Sequence, residues 1–132
     1  MANEIKMKNA IELAFVGDAV YELLVREHIA SKINAPTGKL HTLAVKYVRA
    51  DAQCSALEKI TPYLSDEELD IVRRGKNASK TSVPKNGSPK TYRSATGLEA
   101  LFGYLFLMKD MERIFTLFGI IIDEDENGRE PQ

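Results

Sequence analysis

Residues 13–22 read Leu13-Ala14-Phe15-Val16-Gly17-Asp18-Ala19-Val20-Tyr21-Glu22, and residues 96–104 read Thr96-Gly97-Leu98-Glu99-Ala100-Leu101-Phe102-Gly103-Tyr104. Both are apolar stretches of helical character with a carboxylate in the middle. A charge on such a segment costs free energy unless it is paired, hydrogen-bonded or bound to metal. Gly17 costs a helix interior about 1 kcal/mol relative to Ala, which predicts a neighbour packed close to the backbone beside Asp18. Gly97 and Gly103 flank Glu99 in the same way. Two glycine-relieved helices can cross closely and bring Asp18 and Glu99 together.

Outward from these stretches the chain reads as a succession of helices. Asn9 caps the first, with Glu12 three residues on in an Asn variant of the capping box, and this helix runs to about Ala30. Pro36 opens a second segment in which Leu40, Leu43, Ala44, Tyr47 and Val48 follow at helical spacing; it is expected to reach Ile60. Thr61-Pro62 gives a short turn, and Ser65-Asp66-Glu67-Glu68 is a capping box opening a helix to about Arg74. Gly75 to Tyr92 carries turn signals at Asn86-Gly87 and Ser88-Pro89 and reads as a loop. Ser94 then caps a helix to about Met108, and Met111 to Ile122 forms the last. The expected fold is all-α in a single domain over residues 1–132. Residues 1–8 are read as a loose leader, 75–93 as a basic loop and 123–132 as a frayed acidic tail.

Composition narrows the function. The chain has 132 residues, 44% hydrophobic and 28% charged, as in an ordinary soluble domain. Its single cysteine, Cys54, forms no internal bridge, and the absence of a secretory pattern or membrane-length apolar run points to a cytoplasmic setting. The net charge of −1 hides an uneven layout. From Ile71 to Leu98 there are seven basic residues (Arg73, Arg74, Lys76, Lys80, Lys85, Lys90 and Arg93) and no acidic one. A run of this kind concentrates positive potential, and Tyr92 within it favours phosphate contact over a merely solvated face.

Serine-hydrolase, P-loop and dinucleotide motifs are absent. His28 and His41 lack the neighbours of a zinc site. Two readings of the acids stand side by side. Asp18 and Glu99 are salt-bridged, to Arg26, Arg93 or Lys109; or they meet and share a hard divalent cation, which suits oxygen ligands and keeps several waters. Glu22, one turn beyond Asp18, shares its face and is an auxiliary candidate.

The chain also resembles a known family. Phe15-Val16-Gly17-Asp18-Ala19-Val20 is similar to the signature helix of the ribonuclease III catalytic domain, and Leu98-Glu99-Ala100-Leu101-Phe102-Gly103-Tyr104-Leu105 resembles its second acidic motif. The short chain, together with Arg74-Gly75-Lys76-Asn77-Ala78 and Val83-Pro84-Lys85-Asn86 before Tyr92-Arg93, resembles the Mini-ribonuclease III branch, which has no double-stranded-RNA-binding domain. The likeness spans about Ile11 to Ile122. Where the larger family carries two further acids, this chain has Ala14 and Thr96; the reduced pair is similar to the Mini-ribonuclease III pattern.

The resemblance implies an all-α homodimer forming one valley for duplex RNA, with Asp18 and Glu99 as catalytic and metal-binding residues. It implies Mg²⁺ held weakly and with help from the substrate, Thr96 and Glu22 being possible auxiliaries. It implies cleavage to 5′-phosphate and 3′-hydroxyl ends during maturation of the large-subunit (23S) ribosomal RNA precursor, with a ribosomal protein assisting. Lys76, Lys80, Lys85 and Lys90 are then expected on the RNA backbone, with Arg73, Arg74 and Arg93 nearer the active site. The competing reading is a non-catalytic RNA-binding or ribosome-assembly module on the same fold.

Overall fold

The structure is a computed structural model and describes residues 2–79 and 88–128. Every regular element among them is helical: α1 (Ala2–Lys6), α2 (Ala10–Lys32), α3 (Thr37–Val48), α4 (Ala50–Ile60), a single 3₁₀ turn (Thr61–Tyr63), α5 (Asp66–Ala78), α6 (Pro89–Leu107) and α7 (Met111–Gly128). The expected all-α class holds.

Helix α6 is the axis of the fold. From Gly97 to Leu105 every residue is buried except Glu99, which is half-buried. A helix apolar on all sides belongs in the middle of a core, and α2, α4, α5 and α7 all pack on α6. Helix α2 meets it with Leu13, Ala14, Gly17, Tyr21, Leu24 and Val25, buried at spacings of three and four. Tyr21 fixes the centre, meeting Phe102 and Phe118 edge to face at 5.3 and 5.7 Å.

Both predicted capping boxes form. Asn9 Oδ1 accepts from Ile11 N at 2.7 Å, while Glu12 accepts from Asn9 N. Ser65 and Glu68 bond each other's backbone reciprocally. Glu68 also accepts both arms of Arg113, each at 2.8 Å, and Arg113 donates to Tyr63 O. This bidentate pair ties the start of α5 to α7, and the guanidinium holds the Glu68 carboxyl below its ordinary range.

Several boundaries differ from the sequence reading. The expected single helix from Pro36 to Ile60 breaks at Arg49, whose extended backbone (ψ 159°) redirects the chain so that α3 lies on α2 and α4 on α6. No glycine or proline marks that break. Residues 2–6 are not a loose leader but a short helix. Ile5 is buried, and Arg74 donates to the carbonyls of Lys6 and Lys8 at 2.8 and 2.6 Å.

The basic loop is shorter than read, because α5 continues to Ala78 and α6 begins at Pro89. Ser88 is the cap, accepting from Thr91 N, and Pro89 sits at the first helical position where its missing N–H costs nothing. Ser94, expected as that cap, is a buried interior residue. Helix α7 runs past Ile122 to Gly128, into the segment expected to fray; the rest of that tail lies outside the described residues.

Candidate active site

The crossing of α2 on α6 is what makes the site. A Cβ on Gly17 would overlap the carbonyl oxygen of Glu99 and come within 2.8 Å of Gly103 N; a Cβ on Gly103 would overlap Leu13 O. The two backbones therefore touch at a pair of facing glycines, as expected for Gly17 and Gly103. Gly97 serves a different neighbour. Its Cα lies 2.9 Å from where a Cβ on Gly75 would sit, so it admits α5 rather than α2.

One residue beyond the Gly17 contact, Asp18 stands exposed, and Glu99 reaches it from α6. The two carboxyl groups are close enough to hydrogen-bond when one is protonated. Burial, and then the charge of Asp18, push the Glu99 carboxyl from its ordinary 4.5 up to about 7, with the amide of Gln53 pulling the other way.

Among the described residues neither acid has a cationic partner. Arg26 is held by Glu22 at 2.6 Å, and Lys109 lies over the Phe106 ring, 4.9 Å from its centre. No third Asp, Glu, His or Cys joins the pair among those residues. Two carboxylates with no internal counter-charge are the donor set of a hard divalent ion that keeps most of its waters.

The auxiliary candidates turn elsewhere. Glu22 faces Arg26, and the Thr96 hydroxyl donates to Tyr92 O at 3.0 Å and lies 3.4 Å from Ser79 Oγ. The basic residues divide by what they already do. Arg73 is ion-paired with Asp70 and Arg74 clasps the amino-terminal segment. Lys76 is half-buried, its stem close to Gly97. Lys90 and Arg93 are exposed on the first turns of α6. Lys80 and Lys85 lie outside the described residues.

Gln53 is the residue that sequence reasoning missed. It is buried on α4 beside Glu99, and its spacing with Ala56, Leu57 and Ile60 already placed it on the inward face. A second acid-free stretch, from His28 to Ala50, holds Lys32, Lys39, Lys46 and Arg49.

Residues 11–110 match the ribonuclease III domain family. The chain belongs to the ribonuclease III family. Within it the similarity is to the Mini-ribonuclease 3 group. The chain is 49% identical over 102 residues to Mini-ribonuclease 3 of Thermoanaerobacter sp., covering 77% of this chain and 72% of that protein. It is 40% identical over 122 residues to that of Staphylococcus aureus, covering 91% of each. A crystal structure of a protein from Fusobacterium nucleatum superposes with a TM-score of 0.82 at 31% identity, covering 91% of this chain and 96% of that one. This ribonuclease III-family chain is thus an endoribonuclease. The family match runs across both acidic motifs, Asp18 on α2 and Glu99 on α6. No helix among the described residues is long and apolar enough to cross a membrane.

Proposed function

We propose that the chain is a Mg²⁺-dependent endoribonuclease that hydrolyses double-stranded RNA at the Asp18–Glu99 pair. The carrying observation is that pair itself: two carboxyls brought together by the Gly17–Gly103 crossing, one of them raised to about 7, with no cation of the described chain beside them. Such a pair favours capture of an external cation, which relieves both the repulsion and the burial cost. When bound, the ion supplies an activated water and neutralises charge growing on a phosphoryl oxygen.

The chain's own residues do the rest. Asp18, at the exposed rim, and Glu99, half-buried behind it, would hold the ion through carboxylate oxygens. Lys76, Lys80, Lys85, Lys90 and Arg93 offer positive charge to the phosphates of an A-form duplex, whose recognition rests on backbone and 2′-hydroxyl contacts. Hydrolysis breaks the bond from phosphorus to the 3′ oxygen, leaving 5′-phosphate and 3′-hydroxyl ends.

A homodimer fits the surface of α2. Ile11, Phe15 (81% exposed) and Leu23 (68% exposed) recur at multiples of four along one stripe, an apolar face that a second copy would cover. In the family's pattern such a dimer, working in the cytoplasm, matures the precursor of large-subunit ribosomal RNA with a ribosomal protein presenting the substrate.

The test is incubation of duplex RNA with wild type and Glu99→Gln, with and without Mg²⁺. Discrete cleavage that needs both Mg²⁺ and Glu99 is the expected result. Cleavage at the wild-type rate by both Asp18→Asn and Glu99→Gln would remove this site from the mechanism.

A further inference from the structure

Among the described helix interiors, every glycine but one makes room for another helix. Gly17 faces the Glu99 carbonyl, Gly103 faces that of Leu13, and Gly75 and Gly97 seat α5 on α6. Gly119, in the middle of α7, has nothing within 4 Å of where its Cβ would be. Gly38 is open too, but it lies in the first turn of α3 rather than in a helix interior. Glycine weakens a helix interior, and elsewhere in this chain a neighbour needs the space. At Gly119 no such neighbour is found among the described residues.

The open space over Gly119 continues an apolar stripe. Met111 and Phe115 (55% exposed) precede it at intervals of four on α7, so the three share one face. The 3₁₀ turn adds Tyr63, 59% exposed, because Arg113 donates to its carbonyl at 2.8 Å and ties the turn to α7. Apolar surface gathered in this way marks a place where another molecule packs.

The charge around the stripe selects the partner. Asp110, Glu112 and Asp123 on or just before α7, and Asp66 three residues past Tyr63, are all exposed. The basic side chains on or against α7 are already engaged. Arg113 is clasped by Glu68, Lys109 lies over the Phe106 ring, and Lys59 donates to Ile121 O at 3.5 Å. The face is therefore negative, and it repels duplex RNA and anionic lipid alike. A second copy seated on it would set these acids against themselves. No strand edge is present among the described residues for a partner to extend, which leaves helix-on-helix packing. We propose that the Tyr63–Met111–Phe115–Gly119 face docks a basic amphipathic helix of another protein. Its apolar side covers the two aromatic rings, its backbone passes close over Gly119, and its cations meet the acidic rim. This surface is separate from the Asp18–Glu99 pair and stands without it.

The test is amide NMR of the full-length chain, titrated with a leucine–lysine peptide patterned as an amphipathic helix. The amides of Tyr63, Met111, Phe115 and Gly119 should shift, and the affinity should fall as salt is raised. Phe115→Ser should weaken binding roughly tenfold or more, the effect of losing an aromatic anchor. Gly119→Leu should weaken it as much by filling the approach, while its better helix propensity leaves the fold sound. Duplex RNA cleavage should be unchanged in both variants.

Peptide-induced shifts that spare this face, or fall on the Phe15 stripe of α2 instead, overturn the proposal. Equal binding of a leucine–glutamate peptide of the same pattern overturns it as well. Movement of these amides on dilution alone would make the occupant a second copy, and movement on adding duplex RNA would make it RNA; either result overturns it. So does wild-type peptide affinity in both variants. Should Phe115→Ser fail to fold, Gly119→Leu decides alone.

Discussion

Replacing Glu99 by Gln removes a carboxylate whose ionisation the folded protein resists. In the unfolded chain the group titrates near 4.5; in the folded one, burial and Asp18 hold it near 7. Between those values the folded state binds more protons than the unfolded, so stability falls as pH rises across that window and levels off above it. Integrated from pH 5 to pH 8, the difference is about 2.5 kcal/mol lost by the wild type. For a domain of this length that corresponds to about 9 °C in melting temperature. The amide introduced by Glu99→Gln would not titrate, could still accept from Gln53, and could donate to Asp18.

The assay is thermal unfolding of wild type and Glu99→Gln in chelator at pH 5 and pH 8. The variant should gain on the wild type by about 2.5 kcal/mol between the two pH values while losing cleavage. A divalent ion at millimolar concentration should stabilise the wild type at pH 8 and leave the variant nearly unmoved. A stability difference between the two proteins that is the same at both pH values would refute the claim that Glu99 is a strained carboxylate.

Gly17→Ala should cost at least about 2 kcal/mol in chemical denaturation, because its methyl would overlap the Glu99 carbonyl and force α2 off α6. Gly119→Ala, with nothing within 4 Å, should instead stabilise α7 by roughly 0.5–1 kcal/mol. Arg113→Met leaves the buried Glu68 unpaired and should cost about 3 kcal/mol at pH 7. The Glu68 carboxyl is depressed in the fold, so its contribution is present above its ordinary value and lost as pH falls through the folded one; the variant's deficit should shrink in acid unfolding. Arg93→Glu and Lys90→Glu should each weaken duplex RNA binding and lower the slope of log affinity against log salt by roughly 1, measured by filter binding. Arg74→Ala should lower the melting temperature and leave that slope alone, since its guanidinium is spent on Lys6 and Lys8.

What was legible from residue types was whatever has a local cause. The capping boxes at Asn9 and Ser65 formed because a side chain and a backbone three residues away decide them. The meeting of Asp18 and Glu99 was also legible, through an indirect signal: glycine in the middle of an apolar helix is unfavourable unless another backbone needs the space, and Gly17 and Gly103 need it from each other. The same logic misassigned Gly97, whose partner is Gly75. Spacing says that a backbone approaches but not which one.

The rest depended on packing between distant elements. The Arg49 break has no residue that compels it; it exists because α3 must cover α2 while α4 covers α6. Gln53 followed from the break, since the carbonyl it satisfies becomes free only when α3 stops at Val48. A buried amide at an inward position reads, along the chain, as an indifferent polar residue between Ala52 and Cys54. Only the folded chain shows what it meets, the Val48 carbonyl, and that its oxygen goes without a partner among the described residues. The acids of such a centre can be found by asking where a charge is too costly to be accidental. A buried polar residue such as Gln53 shows itself only in the folded chain, where each of its polar atoms either meets a partner or does not.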